Sequence, residues 1–477
     1  MGKYSNRQIA TLVIIALADF CSAICISLQA PFYPAEAESK GATATEYGFV
    51  FGIFELTVFI VSPLYGQYIS KIGPKLMFNA GIYITGTTCI LFGFLNHINE
   101  TKPFIYLSFL VRIVEALGNA GFLTASFSII ATEFPNNVGA TFAALETCFG
   151  VGLIVGPTVG GALYEVGGYT LPFVCMGSVL LTAATVTFFL LPTSELCDTE
   201  NLHSGAHMLR VLKIPAVSMA AIAIISSSIS IGFIQATLEP HLRPLGLSPL
   251  QTGLMFVLNG ATYALSAPIW GKLCDRGLSP KIVVLIGSLT VVLSFLLIGP
   301  APFLPLTETL GLCIVALIIH GIGFGAQLVA TFSGAHKDAI AANMPDNLTT
   351  YGLVSGMWTS SFALGAFIGP SSAGALLDAF GFDWACMFVV ALHSLVALMM
   401  TSYLCCNRGQ SSRGGLYRKM DTELAIQTTE GTFLKKQQLN RRSWDSSYGS
   451  LDSEPSNSSA ENTDTSRESL NMESIYK

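Results

Sequence analysis

The chain has 477 residues, of which 51% are hydrophobic and only 11% charged, with a formal net charge of −6 and a mean hydropathy of +0.58. Soluble domains carry about 25% charged residues, so this composition excludes an ordinary soluble domain, and the charge balance points to no nucleic-acid partner. Eleven cysteines are scattered, most inside apolar runs, with neither metal-ligand spacing nor a secreted disulfide framework; no metal or cofactor is expected, and no nucleophile–base set or phosphate loop suggests an enzyme.

The first apolar segment follows Lys3 and Arg7. It is longer than a signal-peptide core and lacks a small-residue cleavage site, so it reads as a retained membrane helix. A membrane helix needs about 20 mainly apolar residues. Twelve stretches qualify, at 8–30, 46–69, 75–97, 103–131, 138–164, 169–192, 214–236, 249–271, 280–300, 309–331, 351–377 and 383–405. The longest polar gap, 193–213, divides them six and six. The expected organisation is therefore a six-helix bundle over 1–192, a cytosolic linker over 193–213, a second bundle over 214–406, and a disordered, serine-rich cytosolic tail over 407–477. The fold class is an all-α membrane protein.

With twelve spans both termini share a side. Lys3, Arg7, Lys71, Lys75, Arg210, Lys213, Lys272, Arg276, Lys281 and Lys337 fall on it, against Lys40, Lys102 and Arg243 opposite. The positive-inside rule places both termini in the cytosol. Asn99-Glu100-Thr101 then faces outward or into a lumen as a usable glycosylation acceptor, while the sequons at Asn347 and Asn457 lie on the cytosolic side.

The two halves repeat. "GPTVGGALYEVGGYTLPFV" from Gly156 echoes "GPSSAGALLDAFGFDWACMF" from Gly369, each at the end of the fifth span of its half. "GQYISKIGPKLMF" from Gly66 echoes "GKLCDRGLSPKIVV" from Gly271, each between the second and third spans. Two echoes at matching places indicate a duplicated six-helix unit, and such repeats build transporters with a site at their interface.

These motifs resemble the major facilitator superfamily over nearly all of residues 8–406. The loop after the second span is similar to Gly-x-x-x-Asp-Arg-x-Gly-Arg-Lys: Gly66, Gly73 and Lys75 match, Lys71 replaces Arg and Ser70 replaces Asp, while the second copy keeps Asp275 and Arg276. Arg112-x-x-Glu115-x-x-Gly118 resembles the family's fourth-helix Arg motif, and "GVGLIVGPTVGG", Gly150 to Gly161, its fifth-helix antiporter motif. "ATLEPHL" (Ala236 to Leu242) and "YGLVSGMWTSSFALGAFIGPSSAGA" look like the vesicular amine transporters. "PFYPAEAESKGA", "EFPNNVGATFAALET" and "IVGPTVGGALYEVGGY" resemble their polyamine branch. The monoamine and acetylcholine members carry an acid in helix eleven, where Thr359 stands, and no acid occurs inside helix ten. Monoamine or acetylcholine transport is therefore in doubt.

Charge inside a span normally faces a cavity or a partner, because an ionised group at the bilayer centre costs about 2.5–3.5 kcal/mol. Asp19, Glu55, Glu115 and Glu146 lie well inside spans of the first half, and Arg112 is the one base beside them. That excess of acid suits cations and protons. Residues three apart share a helix face, so Arg112 and Glu115 either pair or both point into a cavity. The resemblance implies that the first and fourth helices line that cavity. Asp19 and Glu115 are then the leading substrate carboxylates, with Arg112 holding one of them ionised, and near the midplane they are expected to meet. A purely structural ion pair is the alternative. Glu55 suits a structural or gating place as well as substrate contact, and Glu146 is a candidate for the proton path. Glu239 is either a solvated end charge or an outer cation-recruiting site. His320, mid-helix in the tenth span, reads as a neutral histidine bonded to a neighbour before it reads as a proton carrier.

Gly156, Pro157, Gly161, Gly369 and Pro370 let helices bend and approach closely, which serves either rocking between halves or packing alone. Lys71, Lys75, Asp275 and Arg276 are expected to form a cytosolic charge latch or only to set topology. In the tail, Tyr417-Arg-Lys-Met420 and Tyr448-Gly-Ser-Leu451 resemble sorting signals that adaptors read, and Cys405 and Cys406 sit where palmitoylation occurs. The expected function is proton-driven antiport of an organic cation, a polyamine or other amine, in a vesicle membrane or the plasma membrane. The rivals are transport of a neutral or anionic solute with structural acids, and a non-transporting sensor or scaffold.

Overall fold

The structure, a computed structural model, describes residues 5–134, 138–190, 211–345 and 348–406. Among them twelve long helices and no strand occur. They are α1 (Asn6–Ser27), α2 (Ala44–Ile72), α3 (Pro74–Phe94), α4 (Thr101–Glu133), α5 (Val138–Gly167) and α6 (Thr170–Leu190). The second half continues with α7 (Pro215–Leu242), α8 (Pro249–Asp275), α9 (Pro280–Ile298), α10 (Leu310–Ala341), α11 (Leu348–Phe380) and α12 (Phe382–Cys406). Away from water the backbone must satisfy its own hydrogen bonds, which leaves helices as the solution for stretches this apolar. The helix starts are marked in the sequence: proline opens α3, α7, α8 and α9, and Thr43–Glu46 and Ser248–Gln251 form capping boxes on α2 and α8.

One expected boundary needs correction. Helix α10 runs to Ala341 rather than stopping at 331, because "SGAHKDAIA" offers good helix formers and no proline until Pro345. Eleven of the twelve helices are long and apolar enough to cross a membrane, and α8 is the exception. It is 27 residues long but carries Gln251, Asn259, Thr262, Ser266 and Lys272. It packs on α5 and α10, and its Asn259 bonds to His320 of α10, so protein rather than lipid covers much of that polarity.

The helices pair in the same way twice. Helix α1 packs on α5 as α7 does on α11, α2 on α4 as α8 on α10, and α3 on α4 as α9 on α10. Two pseudo-symmetric six-helix bundles result, and they meet where α2 packs on α11 and α5 on α8. Between α1 and α2 a short helix, Tyr33–Ser39, inserts Tyr33 among Phe51, Phe92 and Phe104, and the preceding Phe32 packs on Phe173. Large apolar side chains such as Tyr106, Phe189, Leu265 and Leu398 remain exposed and suit a surface covered by lipid.

Most of the expected linker (through residue 210) lies outside the described residues, as do Asn347 and the tail from residue 407 with Tyr417, Tyr448 and Asn457.

Candidate functional site

Three bonds set the register of α1 against α4. Arg7 pairs with Glu133 at 2.8 Å, the Gln8 amide donates to the Glu133 carbonyl, and Ser22 Oγ donates to Asn119 Oδ1 at 3.0 Å. The two helices are therefore antiparallel. Asp19 lies three residues from Ser22 toward the end that holds the N-terminus of α1, the proximal end. Glu115 lies four residues from Asn119 toward the opposite, distal end. At 1.5 Å per residue the two acids are about 10 Å apart along the bundle. The expectation that they meet is corrected: both are buried, but about two turns apart along the α1–α4 seam.

Arg112 and Glu115 do pair. Nη1 donates to Oε2 at 2.8 Å, with Arg112 2% and Glu115 1% exposed. The guanidinium also lies over the Phe54 ring, 4.7 Å from its centroid, and 5.9 Å from that of Phe92. One α4 cation thus rests against aromatic faces from α2 and α3. Glu115 Oε1 and Arg112 Nε, both buried, have no hydrogen-bond partner, so the pair retains an acceptor and a donor for a proton, a water or a substrate group. Glu55 follows Phe54 on α2 and lies within electrostatic reach of Arg112. The side chain of Glu146 on α5 lies outside the described residues.

Glu239 is neither a solvated end charge nor a vacant recruiting site. It is buried near the distal end of α7, and Arg243 grips both its oxygens, Nε to Oε1 at 2.9 Å and Nη2 to Oε2 at 2.7 Å. The same guanidinium donates through Nη1 to Glu38 of the first bundle, whose other oxygen accepts from the Tyr47 hydroxyl. Arg243 therefore ties the two bundles together at the distal end.

Two further ties lie beside it. Asp378, at the end of α11, accepts from the backbone N–H of Ala44 at 3.1 Å and of Thr45 at 2.7 Å, and from the Thr45 hydroxyl. Glu165, at the end of α5, accepts from the backbone N–H of Leu250 at 3.1 Å. Each acid thus sits at the start of the first helix it meets in the other bundle, where unpaired N–H groups favour negative charge. Between these ties the backbones approach closely. A Cβ on Gly48 would collide with the Pro370 carbonyl, one on Gly374 with that of Ala44, and one on Gly161 with that of Pro249. One on Gly253 would stand 2.6 Å from the Pro157 carbonyl. Gly156 and Gly369 pack within their own bundles instead, against Ser27 and Ile229.

The proximal end differs. Among the described residues no ion pair joins Lys71 or Lys75 to Asp275 or Arg276; Lys71 instead lies over the Tyr68 ring. The expected latch is not closed in this structure. Gly66 and Gly73 face open space, and Gly73 has φ +89°, the turn conformation that glycine permits. Asn99 is exposed in its loop, and the Thr101 hydroxyl of its sequon donates to the Lys40 carbonyl.

Sequence reasoning missed Glu38, Glu165, Arg243 and Asp378 as ties between bundles. The signal was present for two of them, because Glu165 and Asp378 are the acids of the repeated Gly-Ala-Leu motif.

This doubled architecture has a family match. The model of the Major Facilitator Superfamily matches residues 15–219 and again 215–444. The chain belongs to the Major Facilitator Superfamily. As a superfamily transporter it is 36% identical to the human MFS-type transporter SLC18B1 over 83% of this chain and 86% of that protein. It is 24% identical to the human chromaffin granule amine transporter over 76% of this chain and 65% of the relative. Among solved structures, a bacterial homologue of the human lysosomal transporter Spinster, inward-facing and occupied, matches with a TM-score of 0.70 at 14% identity. That match covers 84% of this chain and 97% of the other and supports the fold alone. The relatives are transporters rather than enzymes.

Proposed function

We propose that this superfamily transporter is a proton-coupled antiporter of organic cations, with polyamines or other amines as substrates, and that it works in a vesicle membrane. The observation that carries this reading is the buried, acid-rich seam of α1 and α4, where Asp19 and the Arg112–Glu115 pair lie about two turns apart. A carboxylate shielded from water takes up and releases protons near neutrality more readily than an exposed one, and the same group attracts an amine. Relatives named as chromaffin granule and synaptic vesicular amine transporters support the amine class and the vesicle membrane.

In this reading residues 1–192 and 214–406 are the rocking halves, 193–213 the linker, and 407–477 a cytosolic tail offered to sorting adaptors. Both termini are cytosolic, Asn99 faces the lumen as the glycosylation site, and the distal end is lumenal. The structure is then a lumen-closed form. Arg112 keeps the Glu115 carboxylate ionised until a proton or amine displaces it, and Asp19 is the next station toward the cytosol. Glu55 and Glu146 tune that path. The Glu239–Arg243–Glu38 triad and the glycine seam, with Pro157 and Pro370, act as the lumenal gate. Lys71, Lys75, Asp275 and Arg276 close the opposite face in the other state.

The test is uptake by proteoliposomes holding the purified chain, with labelled polyamines, monoamines, a neutral sugar and an acidic amino acid as substrates, with and without an acidic interior. Polyamine or other amine uptake that needs the acidic interior is expected. Uptake confined to the sugar or the amino acid would replace the reading with its neutral-solute rival.

A further inference from the structure

The second bundle holds two fully buried histidines, His320 of α10 and His393 of α12. They differ in what their hydrogen bonds allow. His393 Nε2 faces the Ser226 carbonyl at 3.1 Å, which can only accept, so Nε2 carries a proton. Its Nδ1 faces Gln327 Nε2 at 3.1 Å. That amide also donates to Ser288 Oγ at 2.7 Å, and the Ser288 proton is committed to the Val284 carbonyl. Ser288 accepts in this arrangement and the Gln327 amino group faces His393, so Nδ1 of His393 can take a proton only if the Gln327 amide turns over. His393 is held here as one neutral tautomer.

His320 is not locked. Its Nδ1 faces Asn259 Oδ1 at 3.0 Å, an acceptor. Its Nε2 faces Ser230 Oγ at 3.0 Å, and Ser230 Oγ also lies 2.7 Å from the Ser227 carbonyl. With the hydroxyl turned toward Nε2, the neutral ring is satisfied. With it turned toward Ser227, Nε2 can hold a proton and donate it to the serine oxygen, while Nδ1–H donates to Asn259. One hydroxyl rotation thus satisfies either protonation state with no other group moving. The rings of Phe295 and Phe324 flank the imidazole at 5.7 and 5.8 Å, and aromatic faces favour a cation.

We propose that His320 is a proton-binding site of the second bundle, taking one proton on Nε2 from the aqueous phase when the site opens and returning it in the alternate state. The proposal rests on the antiport reading. Helices α7, α8, α9 and α11 pack against α10, and α12 meets it through the Gln327–His393 bond. The titratable groups that face the ring's surroundings are His393 of α12, within electrostatic reach of His320, and Tyr263 of α8, whose ring meets Phe324. Glu239, Asp275, Lys281, Lys337, Asp338 and Asp378 stand near the ends of their helices, and Lys281 pairs with Asp338. A site of this kind supplies proton chemistry in the middle of α10, whose acid, Asp338, stands near the helix end and pairs with Lys281.

The test uses the full chain in proteoliposomes with the membrane potential clamped. The logarithm of amine accumulation is measured against the imposed pH difference. His320→Gln is expected to lower the slope by one proton, about tenfold less accumulation per pH unit, whereas His393→Gln leaves the slope unchanged. In parallel, histidine nitrogen NMR on the wild-type chain in lipid, from about pH 8 to about pH 5, should show His320 gaining a second N–H while His393 keeps its Nε2–H tautomer. An unchanged slope in a folded His320→Gln, or a His320 ring that stays neutral throughout, overturns the proposal. A wild-type slope of zero overturns the antiport reading, and the NMR titration still decides whether His320 binds a proton.

Discussion

The Asp378 carboxylate accepts the Thr45 backbone N–H at 2.7 Å and so joins the last turn of α11 to the first turn of α2. The bond crosses between bundles, and Glu165 makes its counterpart at the start of α8. Removing a helix-capping acid costs about 0.5–2 kcal/mol. Asp378→Asn should therefore speed hydrogen exchange in the first turn of α2, and Glu165→Gln in that of α8, each leaving the other helix start unaffected. Unaltered exchange in both variants would show that these caps do not hold the distal end.

Arg243 should matter more than either of its partners' exposure suggests. Glu38 is partly exposed, and a bridge of that kind contributes about 0–1 kcal/mol. Glu239 is buried, and stripping the partner from a buried charge costs about 3–5 kcal/mol. Thermal unfolding in detergent should rank Arg243→Ala well below Glu38→Gln in stability, with Arg243→Lys intermediate because it loses the bidentate grip. Equal melting of Arg243→Ala and Glu38→Gln would contradict the ranking.

The glycine seam predicts a steric effect. At Gly374 an added Cβ meets the Ala44 carbonyl, a backbone atom that cannot swing aside. Overpacking of this kind costs about 1–3 kcal/mol. Gly374→Ala and Gly253→Ala should each bias the protein away from the distally closed form. The check is reactivity of a cysteine placed at Thr45, probed with a membrane-impermeant thiol reagent from each side, with Gly66→Ala, which faces open space, as the comparison. Identical labelling in all three would remove the seam as a closing element.

Much of this fold was legible in the sequence. Apolar length, the six-and-six division and the doubled motifs follow from physics that acts locally, since a helix in lipid must satisfy itself. The partners of the charges were not legible. Arg112–Glu115 could be read from spacing on one helix, but Asp19 and Glu115 required the register of α1 on α4, which depends on contacts such as Ser22–Asn119 across 97 positions of chain. Glu239 was misread for a related reason: its cation is one turn away on its own chain segment, but the acid that shares that cation, Glu38, comes from the other bundle. The polar content of α8 also lowered its apolar signal because neighbouring helices, not lipid, receive much of it.

Breaking the α4 pair should be severe and separable. Arg112→Ala leaves Glu115 buried without its cation, again at about 3–5 kcal/mol, and thermal unfolding should show it. Arg112→Met with Glu115→Met should restore stability toward wild type, since apolar replacement of a buried pair is often neutral or better. Transport should stay absent in the double variant. Activity in that variant would make the pair purely structural.

The central claim is that a proton gradient drives an amine through the Asp19–Glu115 seam. The measurement that tests it most directly is steady-state amine accumulation in proteoliposomes at a fixed pH difference, before and after a proton-dissipating agent, for wild type, Asp19→Asn and Glu115→Gln. Each exchanged proton contributes about 1.36 kcal/mol per pH unit, so wild type should accumulate at least about tenfold per unit at zero potential and lose it when the gradient collapses. Both folded variants should fail to accumulate. Accumulation that persists at the same level without the gradient, or that both variants sustain, would contradict the claim.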